Sequence, residues 1–218
     1  MKKFGITVLR VLIGALFVGH GLQKLRGWFG GGGLEGTAAG FQKMGMEPAH
    51  RQAMLAGLTE TTAGALLATG FLTPVASSMV SGVMTVAIRH VHAKNGIWVT
   101  KGGYEYNAVL MASVFAITSE GPGSFALDNR LGLACPSTRL AFAQLGAGLA
   151  GATGVEVLAR RAQAAAPTSS GDAGPGESVS APPPHSSLAA SIDLRGDVAP
   201  AEDGPVIPNT TLLEHPTP

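Results

Sequence analysis

Glu60 is the only charged residue in the apolar run from Ala53 to Leu72. A carboxylate placed in hydrocarbon is costly, and such a residue is by default a functional-site hypothesis, to be weighed against an ion pair that merely locks helix register. Other residues able to do chemistry stand at the ends of neighbouring apolar runs. His20 and Lys24 close the run Phe4–Leu25. Arg89, His90 and His92 close the run that starts at Val75, and Glu105 and Tyr106 open the next. Together these types supply cationic, imidazole and phenol donors beside one carboxylate. That set can hold the polar group of an otherwise apolar molecule and relay a proton to it.

The elements that must position these residues are helices in lipid. Of 218 residues, 45% are hydrophobic and 13% charged, with mean hydropathy +0.27. Soluble domains carry about 25% charged residues. Five apolar segments are legible: Phe4–Leu25, about Ala53–Leu72, Val75 to about Val91, about Tyr106–Thr118, and a weakly apolar Ala/Gly-rich segment, Leu140–Leu158. A span needs roughly 20 helical residues. The expected fold is therefore all-α: a transmembrane bundle of four antiparallel spans, with a fifth left open by hydropathy. Lys2 and Lys3 precede the first segment as in a signal peptide, but Arg10 interrupts it and no small-residue cleavage site follows, so we expect an uncleaved span. Glycines inside the first two spans (Gly14, Gly19, Gly21, Gly57, Gly64, Gly70) suit close helix packing.

An up-down arrangement brings the ends of spans one and three and the start of span four to one side of the bundle, with Glu60 leaning towards it. His20, Lys24, Glu60, Arg89, His92, Glu105 and Tyr106 are the expected ligand-binding set. On span three, Ser78, Ser81, Thr85, Arg89 and His92 form one polar stripe, which should face the interior. At the other end, Arg10 can meet Asp128 or Glu120, and Arg10 with Asp128 is the expected structural ion pair. No metal is expected: His90 and His92 diverge on a helix and no HExxH is present. The lone Cys135 excludes an intramolecular disulfide.

The 26–52 connection opens with four glycines, Gly30–Gly33, without the Gly-Lys-Ser/Thr of a phosphate loop, and reads as a flexible linker. Ten of the 14 prolines lie from residue 162 onward. Residues 1–161 carry 14 Lys/Arg and 7 Asp/Glu, whereas residues 162–218 carry 1 Arg and 7 acids. That composition reads as a disordered acidic tail. The basic residues flank apolar runs rather than forming a stripe, so nucleic acid is not an expected partner and the lipid bilayer is. Orientation is not fixed. Lys2 and Lys3 favour a cytoplasmic N-terminus, but the connections on the opposite side carry more Lys and Arg.

Residues 1–131 resemble the DoxX family of bacterial four-span membrane proteins. The resemblance lies in Arg10-x3-Gly14, His20-Gly21-x2-Lys24, Gly57-Leu58-x-Glu60 with Gly64, and Gly70-Phe71-Leu72-Thr73. It continues through Ala87-Ile88, His92-x-Lys94-Asn95-Gly96, Gly103-Tyr104-Glu105-Tyr106 and Gly121-Pro122-Gly123-Ser124 to Leu127-Asp128. Arg89 and His90 depart from the pattern, which favours His92 for the site. The resemblance implies a four-helix domain over 1–131, leaving 132–161 as a fifth spanning or interfacial helix and 162–218 as the tail. It also implies a multi-pass protein of the cell membrane linked to redox chemistry. The family is named for a terminal quinol oxidase system, a related subunit serves a thiosulfate:quinone oxidoreductase, and other members act in oxidative or thiol stress through partner enzymes. A subunit binding a quinone or similar small apolar ligand for a redox partner protein is thus the expected function. A transporter of a proton, anion or metabolite and a scaffold docking a soluble enzyme are the alternatives. A homo-oligomer is left open.

Overall fold

The computed structural model describes residues 3–165. The expected acidic tail lies almost wholly outside them. Among the described residues the chain is all-helical: α1 (Phe4–Arg26), α2 (Gly33–Lys43), α3 (Ala49–Thr69), α4 (Thr73–Ala87), α5 (Glu105–Glu120), α6 (Leu127–Arg130) and α7 (Thr138–Ala165). A π-helical turn, Ile88–His92, continues α4. By length and composition, α1 and α7 are apolar enough to cross a membrane.

Local chemistry sets the boundaries. α1 and α3 both end on a left-handed glycine, Gly27 (φ 72°) and Gly70 (φ 66°). Only glycine takes that conformation without a Cβ clash. α4 opens with Pro74, whose missing N–H costs nothing in a first turn. The expected linker between α1 and α3 is not simply flexible. After a short turn at Trp28–Gly30 it folds as α2. Past the glycines, Leu34, Ala38 and Phe41 recur at helical spacing, and that pattern outweighs the breakers before it.

α1 and α3 run in opposite directions at very close approach. A Cβ on Gly14 would lie 2.7 Å from the Gly64 carbonyl oxygen, and one on Gly21 would lie 2.7 Å from that of Gly57. α5 opposes α4. α7 runs with α4: Ser81 meets Gln144, and Arg89, two turns on, meets Thr153 and Glu156. Ile13, Phe17, Leu67, Val80, Val114 and Ile117 form the core.

The distribution of polarity is that of a protein in lipid. Val8, Leu12 and Leu16 of α1, Leu58 of α3, Val109 of α5 and Leu158 of α7 face outward, while Arg10, Glu60, Ser77, Ser81, Asn107, Asp128 and Gln144 are buried. Water would favour the reverse arrangement. The span-three stripe is divided: Ser81 and Arg89 meet α7, Ser78 and His92 line the cavity described below, and Thr85 is buried and bonds the Ser81 carbonyl one turn back.

Candidate functional site

The α1–α3 contact positions the first pair. Because glycines let the backbones meet, the Lys24 ammonium reaches the Glu60 carboxylate at 2.7 Å. Glu60 is 5% exposed. This ion pair forms part of the wall of a cavity of about 650 Å³. Pockets of roughly 300–1,000 Å³ suit small organic ligands.

His20, His92 and Tyr106 line the same cavity. The His20 imidazole lies 3.1 Å from the Gln23 side-chain oxygen through Nδ1. His92 Nδ1 lies 2.7 Å from the Gly102 carbonyl oxygen. That oxygen can only accept, so Nδ1 donates, and in the neutral ring Nε2 is then the acceptor. The π turn sets this geometry, and such turns recur where a helix re-aims side chains at functional positions. Tyr106 is half exposed at the start of α5.

Two members of the expected set are placed elsewhere. Glu105 does not line the cavity. It opens α5, where a carboxylate suits the helix dipole, and its backbone N–H donates to the Ile97 carbonyl. Arg89 turns away to α7, donating to Glu156 Oε2 at 3.0 Å and Thr153 Oγ1 at 3.1 Å. His90 Nε2 lies 3.2 Å from the other Glu156 oxygen.

The expected direct pair of Arg10 and Asp128 is replaced by a different arrangement. Both are 2% exposed and lie at the turn between α3 and α4, but each binds backbone. Arg10 donates to the carbonyls of Leu67 and Ala68, which end α3, and through Nε to Pro122. Asp128 accepts from the N–H groups of Leu72 and Thr73, which begin α4, at 2.8 and 2.9 Å. Leu72 stands at the N-cap and has no side chain able to cap, so α6 supplies the carboxylate. Each charge therefore sits at the helix end of opposite partial charge. A Cβ on Gly70 would lie 2.7 Å from the Arg10 guanidinium, so glycine there also leaves it room.

Residues missed by sequence reasoning complete the cavity. Asn107, 4% exposed, donates to Met84 Sδ at 3.3 Å, and Phe41, Met44 and Met46 cover one end. Glu156 had a legible signal. It is the only charge in the segment 140–158, the same argument that singled out Glu60. Among the described residues no three His, Cys, Asp or Glu side chains cluster as metal ligands. A second, shallow depression on the outer face of α7, near Leu149 and Val157, is open and apolar.

Among the described residues, an all-helical fold with an apolar exterior, buried charges and a cavity has the character of a membrane protein. Residues 5–93, the stretch from α1 through the π turn, match the DoxX family model. No curated protein and no solved structure matches the chain. The match includes His20, Lys24, Glu60 and His92. Tyr106, Asp128 and Glu156 lie beyond it.

Proposed function

We propose that the protein is a multi-pass subunit of the cell membrane that binds a quinone or similar small apolar carrier in the Lys24–Glu60 cavity, serving a redox partner. In this reading α1, α3, α4 with its π turn, and α5 are the four spans, and α7 is a fifth. The supporting observation is the character of the cavity wall. It is mostly apolar, and its charges are already matched, Lys24 to Glu60. A charged ligand would upset that balance. A neutral ring with carbonyl or hydroxyl oxygens would not.

The available groups fit such a head. Lys24 keeps two N–H donors, Tyr106 offers a hydroxyl, and His92 Nε2 can accept. Glu60 is placed to exchange a proton with a reduced head through its second oxygen. The transporter reading is weaker, because Ser81 and Arg89 of the stripe that would have carried the substrate are engaged by Gln144 and Glu156 of α7.

The test is a titration of detergent-purified protein with a short-chain benzoquinone, followed by intrinsic fluorescence. Saturable binding that Glu60→Gln weakens supports the reading. No binding by the unaltered protein rejects it.

A further inference from the structure

We propose that the cavity's ligand enters sideways from the bilayer, through the slot between α3 and α7, and that Glu156 is the latch that sets the width of that slot. The proposal rests on the membrane reading above but not on the ligand being a quinone.

Three observations carry it. First, the end of the cavity is covered: Phe41, Met44 and the buried Met46 lie across it, and Gln163 of α7 donates to the Gly45 and Glu47 carbonyls of that cover. Second, the side is thinly closed. Leu55, Ala56 and Thr59 of α3 line one flank and Gly151, Ala152 and Val155 of α7 the other, yet the two helices share no extensive contact. Each instead packs on α4, the floor between them. The slot is apolar and continuous with the Lys24–Glu60 wall, so it suits a lipid-dissolved amphiphile whose head stops at the polar end while its chain lies between the helices.

Third, α7 is fastened to α4 beside the slot by a small number of polar contacts. The Glu156 carboxylate, 13% exposed, takes Arg89 on one oxygen and His90 on the other. His90 itself lines the cavity. Nearer the start of α7, the helices meet through Gly82 and Gly148, where a Cβ on Gly82 would lie 3.2 Å from the Gly148 carbonyl oxygen. Small residues make a contact about which a helix can tilt, and the ion pairs lie two turns further on. Arg89 and His90 lie within the DoxX match, and Glu156 lies outside it. The three form one cluster, in which α7 gives Arg89 and His90 a common partner. Glu156 is thus a positioning residue, acting on the slot through α7.

The experiment uses the full chain in unsealed membrane sheets. Cys135, which is exposed, is changed by Cys135→Ser, and Ala152→Cys places a reporter thiol on the cavity wall. A lipid-soluble maleimide should label the reporter several-fold faster than a water-soluble, membrane-impermeant one. Gly151→Trp in the same background should slow it. Glu156→Gln should raise the lipid-soluble rate by about fivefold, the scale of a local opening, and Glu156→Asp should restore it. A control thiol from Ala63→Cys, buried in the core away from the cavity, should stay unlabelled throughout. Faster labelling from water overturns the lateral route. An unchanged rate in Glu156→Gln, or a control thiol that opens in step, overturns the latch. None of these outcomes depends on benzoquinone binding.

Discussion

The two ends of the bundle use the same kinds of residue for different ends. At the α3–α4 turn, Arg10 and Asp128 are buried and spend their hydrogen bonds on backbone, one capping α3 and the other α4. At the cavity, Lys24 and Glu60 bind each other and keep unused donors and acceptors facing open space. An ionisable group consumed by helix ends holds the fold. One with spare valence beside a cavity can hold a ligand. Burial alone does not separate these roles, since Glu60 is nearly as buried as Asp128. The partners do.

Perturbing each end should separate them. The largest effect is expected for Asp128→Ala, which uncaps α4 and leaves the buried Arg10 guanidinium without its nearby carboxylate. Loss of stability on the order of 3 kcal/mol is expected, read as a fall in denaturant midpoint in detergent. Next is Gly64→Val, which drives side-chain atoms into the α1 backbone at Val18. It should cost about 2 kcal/mol and, by parting α1 from α3, should also break the Lys24–Glu60 contact.

Within the cavity, Lys24→Met should destabilise more than Glu60→Gln. The first strands a buried carboxylate, whereas the second leaves an amide that can still accept from Lys24. Lys24 is partly exposed, so a difference of about 1 kcal/mol is expected, and equal midpoints for the two variants would contradict the assignment. The smallest change is Tyr106→Phe. It should leave the midpoint within about 0.5 kcal/mol and weaken benzoquinone binding about fivefold, the worth of one hydrogen bond. Unchanged affinity would remove Tyr106 from the site.

Much of this contrast was legible in the sequence. A lone charge in an apolar run and the polar ends of neighbouring runs were enough to bring His20, Lys24, Glu60, His92 and Tyr106 to one place, because helix direction follows from short connections. The same logic put Glu105 there and missed the turn of the chain. As the first residue of α5 it serves that helix's N-terminus. The DoxX resemblance was legible in the spacing of short motifs, and the family match bears it out over residues 5–93. Arg89 was expected to face the interior with its stripe, but its side chain is exposed and pairs with α7, which weak hydropathy over 140–158 had left undecided. The capping roles of Arg10 and Asp128 could not be read either. Sequence shows which side chains carry charge, but not which backbone groups lack partners until the helices have ends.

The central claim is that the Lys24–Glu60 end holds a lipophilic molecule and the Arg10–Asp128 end does not. It is tested most directly by purifying the protein from membranes in mild detergent, extracting it with organic solvent and identifying what it carries by mass spectrometry. Glu60→Gln and Tyr106→Phe are treated alongside. The account predicts a near-stoichiometric redox-active lipophile in the unaltered protein, depleted in both variants although their folding is kept. An extract holding only bulk phospholipid, or the same lipophile at the same level in all three proteins, would contradict it.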